Sequence, residues 1–395
     1  MTHSDVEMSP SLLIMIAGAK GAIGTTVALA AAELQTEGAA AILSGLTTAE
    51  KFADLGDPRR IVVAGWDRAV ESLAERIRLH GVLPESAWKD HLPAVDRCDI
   101  RPAPAEGAPL ADQVDVIRHD IQAFMNRWPN AKPVLVNLLP AACDSEQAQR
   151  METLEDLLRM EGPLLPDLGY TVAALLSGVP IVNFSPNTVE LPVICREADQ
   201  RGIPLAGRDG KTGQTYLKVV LASAFKARSL CVDGWYSLNI LGNADGRNLM
   251  DPERACGKLN NKTRLLDDIL GYQVGEGYDS ASHIVRIDYY PPRGDAKEAW
   301  DVIDFKGVFG MPMSLRLNLQ GRDSILAAPM AIDLARWAAA LKKAAIGGPV
   351  PELGFFFKKP VGADPAVTFQ DQLTALDRLE SKIGSYQPQG KAPIR

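Results

Sequence analysis

Ser11-Leu12-Leu13-Ile14-Met15-Ile16-Ala17-Gly18-Ala19-Lys20-Gly21-Ala22-Ile23-Gly24-Thr25-Thr26 is the stretch that decides the fold. The run to Ala17 is almost continuously apolar, as a strand buried on both faces of a parallel sheet requires. It passes into three glycines and then into an alanine-rich helical stretch ending near Leu34. Strand, glycine loop and helix in that order form a dinucleotide-binding fingerprint, spaced here G-x-x-G-x-x-G rather than G-x-G-x-x-G. Glycine permits the tight turn, and the helix N-terminus offers unpaired N–H groups to a pyrophosphate. Gly18, Lys20, Gly21, Ala22, Ile23 and Gly24 are the positions that would hold it.

Working outward, the alternation repeats. Residues 60–66 read as a second apolar strand, followed by Asp67. No acidic residue lies about 20 positions after the loop, where a ribose partner is expected, so Asp67 is the next candidate. A strand-terminal aspartate can equally cap the following helix, and both roles stay open. Residues 110–128 read as an amphipathic helix, 133–137 as a strand, 168–177 as a helix and 179–182 as a strand. That strand ends in Asn183-Phe184-Ser185-Pro186-Asn187-Thr188, a polar loop where doubly wound folds place ligands. Another helix and strand (189–200, 203–206) lead to Gly207-Arg208-Asp209-Gly210-Lys211-Thr212-Gly213-Gln214-Thr215. A phosphate loop is excluded there, because that motif needs a glycine where Leu205 stands.

After about Lys218 the pattern turns to longer strands. Residues 235–241, 283–290, 303–309 and 314–319 are rich in β-branched and aromatic side chains, as in a sheet domain inserted into the first one. Asp323 opens a long helix reaching about Ala345. Between these strands, Leu241-Gly242-Asn243-Ala244-Asp245-Gly246-Arg247-Asn248 forms a polar turn. Lys258 and Lys262 follow, four apart in a helical pattern. Two ammonium groups so spaced repel by a few tenths of a kcal/mol, which a nearby anion or buried carboxylate would offset.

The composition is that of a globular chain: 395 residues, 46% hydrophobic and 23% charged. A formal net charge of −7 argues against a nucleic-acid partner, and an anionic substrate would need local cations. Five cysteines without C-x-x-C spacing read as reduced thiols. No zinc pattern is visible and the histidines do not cluster, so no metal is expected. The polar start lacks a basic n-region, and no apolar run approaches about 18 residues. The expectation is a cytoplasmic protein without a membrane partner.

Gly207-x-Asp209-x-Lys211-x-Gly213-Gln214-Thr215, Leu241-Gly242-Asn243-x-Asp245-Gly246-x-Asn248-Leu249 and Lys258-x-x-x-Lys262 resemble the myo-inositol-1-phosphate synthase family in order and spacing. Gly65-Trp66-Asp67 and the 183–188 loop are similar to further family motifs. The resemblance runs from Gly18 to Pro360. It implies a Rossmann-like doubly wound NAD-binding domain (1–217), an inserted α+β domain for catalysis and oligomerisation (218–325), and a return to the first domain with a tail (326–395). A homotetramer joined through the inserted sheet is implied too.

The family's reaction is a redox-neutral cyclisation of glucose 6-phosphate with a recycled NAD. The C5 hydroxyl is oxidised, C6 enolises and attacks the C1 aldehyde, and the ring ketone is reduced to give 1D-myo-inositol 3-phosphate. By the resemblance, Lys258 matches the lysine at the C5 hydroxyl, and Lys262 and Lys358 match those binding phosphate and substrate oxygens. Asp209, Asp245 and Asp323 match the aspartates that orient the lysines and the nicotinamide end. Asp67 matches the ribose partner, and Asn183 and Ser185 fall in a cofactor-side loop. Two departures stand out. Asn137-Leu138-Leu139-Pro140-Ala141-Ala142 replaces the family's Trp-Thr-Ala-Asn-Thr-Glu, and Asp288 falls where the family carries a catalytic lysine. Arg286, two residues earlier on the same strand face, is the expected compensation. Two alternatives remain: a cyclase closing a five-membered ring from fructose 6-phosphate, or an NAD-binding protein without turnover.

Overall fold

The computed structural model describes residues 10–142, 147–160, 164–243, 246–247, 250, 264–278 and 282–386. Strand β1 (Leu12–Ala17) is buried along its whole length. It pairs in parallel with β2 (Ile61–Asp67) on one side and β4 (Lys132–Asn137) on the other. Beyond β2 lies β3 (Asp99–Pro102). Beyond β4 lie β5 (Ile181–Asn183), β6 (Pro204–Gly207) and finally β11 (Gly348–Pro349). All the pairings in this seven-stranded sheet are parallel.

The period-two alternation of β1 feeds two cores. Leu12, Ile14 and Ile16 pack with α1 (Ala22–Glu33) and α7 (Asp323–Lys343) on one face. Leu13, Met15 and Ala17 pack with α3 (Leu110–Arg127), α4 (Pro166–Leu176) and α5 (Pro192–Gln200) on the other. The strand order reverses between β1 and β4, and the carboxyl ends there open the crevice in which such sheets bind ligands.

Between β6 and β11 the chain builds a second sheet in the order β10-β9-β7-β8. Its strands are β7 (Cys231–Leu241), β8 (His283–Tyr289), β9 (Ala296–Lys306) and β10 (Pro312–Arg322). β7 runs parallel to β8 and antiparallel to β9. Helix α6 (Gln214–Ala227) covers one face, with Val219, Ala222 and Phe225 against Trp235 and Ile303. The sequence pattern does not give α6, because its buried face also carries Gln214, Lys218 and Ser223, which interrupt the apolar period. Those polar groups are partnered. Gln214 donates to Asp301 at 2.9 Å, and Lys218 Nζ lies 2.9 Å from His283 Nε2, with burial lowering the lysine pKa to about 8.

Other elements also escape the sequence pattern, among them short β3 and β11 and helix α8 (Phe369–Gly384), which enters the expected tail. α7 is long and apolar enough to cross a membrane by length and composition, yet most of it is buried in the protein. Its charged Asp333 accepts from the hydroxyl of Thr47 at 2.8 Å, and Arg336 donates to the Lys51 carbonyl at 2.8 Å. Those contacts are what a core helix makes.

Candidate active site

The glycine loop turns at Gly18, whose φ of +86° suits glycine. A Cβ at Gly24 would stand 2.5 Å from the Ala19 carbonyl oxygen and 2.8 Å from that of Gly18, so α1 starts tight against the loop. Gly21 is different: its Cβ would meet only the Gly18 oxygen, at 3.2 Å. Helix α1 has no side-chain cap and no acidic residue in its first turn. Its N–H groups at 22–24 therefore suit an anion. Asp67 pins the loop, accepting from the Lys20 N–H at 2.8 Å and from the Ala69 N–H at 2.8 Å. It does not cap the next helix; Ser72 caps α2 (Leu73–His80) in a capping box with Glu75. The Lys20 ammonium donates to the Ala69 carbonyl at 2.7 Å. Gly18, Gly21, Asp67, Arg76, Leu138, Leu139, Pro140 and Tyr170 are among the residues lining a cleft of about 330 Å³. The set fits a dinucleotide: a bare helix N-terminus, glycines where backbone must approach, and a carboxylate at the end of β2.

Asn183 and Ser185 do not line that cleft. Both are buried beneath it, and Asn183 donates to the Asn187 carbonyl at 2.8 Å and to Glu190 at 2.9 Å. The Asn183 side chain braces the 183–190 segment through these hydrogen bonds.

On the same edge of the sheet, β6 runs into the loop carrying Asp209. Its φ of +62° is rare outside glycine, and the neighbours over-determine it. The Asp209 N–H donates to the Ser185 carbonyl at 3.0 Å, and its own carbonyl accepts the Lys358 N–H at 2.8 Å. The Lys358 ammonium then reaches the Asp209 carboxylate at 2.7 Å. Beside them, Asp323 at the start of α7 takes Lys297 at 3.1 Å and the Thr212 hydroxyl at 3.0 Å. Burial opposes ionisation of Asp323, but Lys297, aided by Lys358, outweighs it and holds the carboxyl below its ordinary range. Lys211 lies buried behind Lys358 with its ammonium on Gln372 (3.0 Å) and the Gly354 carbonyl (3.2 Å). Burial first, and Lys358 second, lower its pKa to about 7.

The structure thus brings together Asp209, Lys358 and Asp323 from the sequence-derived set. Lys211 and Lys297 join them. The sequence reading gives Lys297 no role; it reaches Asp323 because β9 pairs Lys297 with Gly321 of β10. Lys258, Lys262 and Asp245 lie outside the described residues. Arg286 and Asp288 share one face of β8, as their spacing predicts, and lie apart from the cluster of Asp209, Lys358 and Asp323. β8 is an edge strand, and both side chains are exposed on it. Asp288 pairs with Ile240, which pairs with Glu298; Lys297, one residue away, faces the other side of the pleat.

A parallel doubly wound sheet with a dinucleotide-type crevice, a lysine–aspartate cluster on its edge and a second sheet inserted before the last strand defines a Rossmann-like enzyme class. The sequence profile of the Myo-inositol-1-phosphate synthase family matches residues 213–324. The chain is 35% identical over 338 residues to inositol-3-phosphate synthase 1 of Bacteroides thetaiotaomicron, covering 78% of this chain and 76% of that one. It is 30% identical over 304 residues to inositol-3-phosphate synthase of Spirodela polyrhiza, covering 70% of this chain and 59% of the longer relative. In fold it is similar to the Caenorhabditis elegans inositol-3-phosphate synthase, with a TM-score of 0.81 at 19% identity over 97% of this chain and 88% of that one. A myo-inositol-1-phosphate synthase-related protein from Thermotoga maritima gives a TM-score of 0.74 at 21% identity, over 96% of this chain and 100% of that one. The chain belongs to the myo-inositol-1-phosphate synthase family and is an isomerase.

Proposed function

We propose that the chain cyclises glucose 6-phosphate to 1D-myo-inositol 3-phosphate in a redox-neutral reaction with a recycled NAD. The observation that carries this is the cluster of Lys358, Lys297 and Lys211 around Asp209 and Asp323, on the sheet edge that also bears the glycine loop. NAD⁺, when bound, supplies acceptance and return of the hydride. Gly18 to Gly24 and the first turn of α1 would hold its pyrophosphate, and Asp67, at the end of β2, would be its ribose partner.

The chain's own groups meet the remaining demands. Lys358 and Lys297 are cations held half-buried by carboxylates, so they can turn to a phosphate or a developing oxyanion with little reorganisation. Lys211, with a pKa of about 7, exchanges a proton near neutrality without a strong base. Lys258 and Lys262 carry the family roles at the C5 hydroxyl and the phosphate by sequence. The inserted sheet supplies the oligomer interface, a homotetramer. Its face opposite α6 exposes Tyr236, Ile284 and Trp300, the last 47% accessible.

Incubation with NAD⁺ and either glucose 6-phosphate or fructose 6-phosphate tests the proposal. Product NMR should show a six-membered inositol phosphate from glucose 6-phosphate, with no net NADH absorbance. A five-membered product from fructose 6-phosphate, or stoichiometric NADH, would overturn it.

A further inference from the structure

The buried polar network under the crevice has no counterpart among the roles assigned so far. Its centre is Asp167 in the first turn of α4, with no exposure to solvent. Burial pushes its carboxyl up. Its hydrogen-bond partners are neutral: Asn137 donates at 2.6 Å, and Asn187 donates to both oxygens at 3.0 Å. Ser185 hydrogen-bonds to it as well.

Those partners hold the cleft wall. The Asn137 carbonyl oxygen of the side chain accepts the Leu139 N–H at 3.2 Å. Asn187 donates to the Pro140 carbonyl at 2.9 Å and accepts the Ala142 N–H at 2.9 Å. Leu139, Pro140 and Pro166, next to Asp167, line the 330 Å³ cleft with the glycine loop. Asn137 also donates to Asn183 at 3.0 Å, whose amide continues to Glu190, which Arg208 meets at 3.3 Å.

A carboxylate suits the centre because it accepts from every side and donates nowhere. An amide there would turn N–H groups against donors and leave a buried amide unpaired. The N-terminus of α4 favours the negative charge.

We infer that Asp167 is a positioning residue of the dinucleotide cleft: it fixes the 137–142 wall and the 183–187 loop so that NAD binds a preformed surface. It touches no ligand itself. The inference rests on the NAD reading and goes beyond it. In this chain the wall segment is Leu138-Leu139-Pro140, which presents hydrocarbon and backbone, so the alignment of that backbone carries the fit.

The test compares wild type, Asp167→Asn and Asn187→Ala by calorimetry with NAD⁺ and by steady-state kinetics with glucose 6-phosphate. Asp167→Asn should weaken NAD⁺ binding about tenfold, as for a disrupted buried hydrogen-bond centre. At saturating NAD⁺ the KM for the sugar phosphate should stay within twofold, a split that general loosening of the fold would not give. Should Asp167→Asn fail to fold, Asn187→Ala, which keeps the Asp167–Asn137 contact, must show the same split. Wild type that binds NAD⁺ beside a folded variant of equal affinity, or a variant with both constants raised alike, overturns the inference alone. Wild type that binds no NAD⁺ overturns the parent reading and this one with it.

Discussion

Gly21 and Gly24 lie three residues apart in one loop, and the structure separates what each does. At Gly24 an added Cβ would meet three backbone atoms at 2.5, 2.8 and 2.8 Å, none of which can rotate away. The loop would have to open by about 0.9 Å to restore ordinary contact at 3.4 Å. Overpacking of that kind costs about 1–3 kcal/mol, and the better helix propensity of alanine returns at most about 1 kcal/mol. Gly24→Ala should therefore destabilise the fold by about 1–2 kcal/mol. At Gly21 the backbone is extended (φ −70°, ψ 169°), and the nearest atom to a Cβ is a single oxygen at 3.2 Å. Gly21→Val should leave the melting temperature nearly unchanged and weaken NAD⁺ at least tenfold, because the branched side chain fills the approach to the bare helix N-terminus. Thermal denaturation of both variants without ligand, with calorimetry against NAD⁺, gives the two readouts. A stable Gly24→Ala, or a folded Gly21→Val with wild-type NAD⁺ affinity, would refute the assignment of packing to one glycine and ligand approach to the other.

Three further outcomes are expected. Lys358→Ala, which strips Asp209 of its 2.7 Å partner, should lower kcat/KM for the sugar phosphate by about 10² or more with NAD⁺ affinity little changed; near-normal kinetics would remove Lys358 from the site. Lys211 has a folded pKa of about 7, below the ordinary lysine value of 10.5, so the native state binds fewer protons than the unfolded one between those values. Wild-type stability should consequently rise with pH across that window, and denaturant titrations of Lys211→Met should lack that slope; parallel curves would show that the lysine does not titrate this way. Arg286→Ala and Asp288→Lys, both on the exposed face of β8, should keep turnover within about threefold, whereas Trp300→Glu should lower the oligomeric mass in sedimentation. Loss of turnover in Arg286→Ala with the assembly intact would restore it to the site.

The linear sequence determined what depends on neighbours along the chain. β1, the glycine loop and α1 are legible from residues 11–34 because a continuous apolar run, three glycines and an alanine-rich helix act locally. The motifs around Asp209, and the lone Asp323 and Lys358, were legible only through their resemblance to a family. Tertiary structure decided the rest. Lys358 meets Asp209 across 149 positions, and Lys297 meets Asp323 through a strand register that no spacing encodes. The pleat of edge strand β8 puts Arg286 and Asp288 on one exposed face, as their spacing of two indicates, but the surroundings of that face are set by packing. Asn183 and Ser185 sit at a strand end, as read, but burial turned them into braces around Asp167. Period and turn chemistry are written in adjacent residues; which side chains share a buried site depends on how distant segments pack.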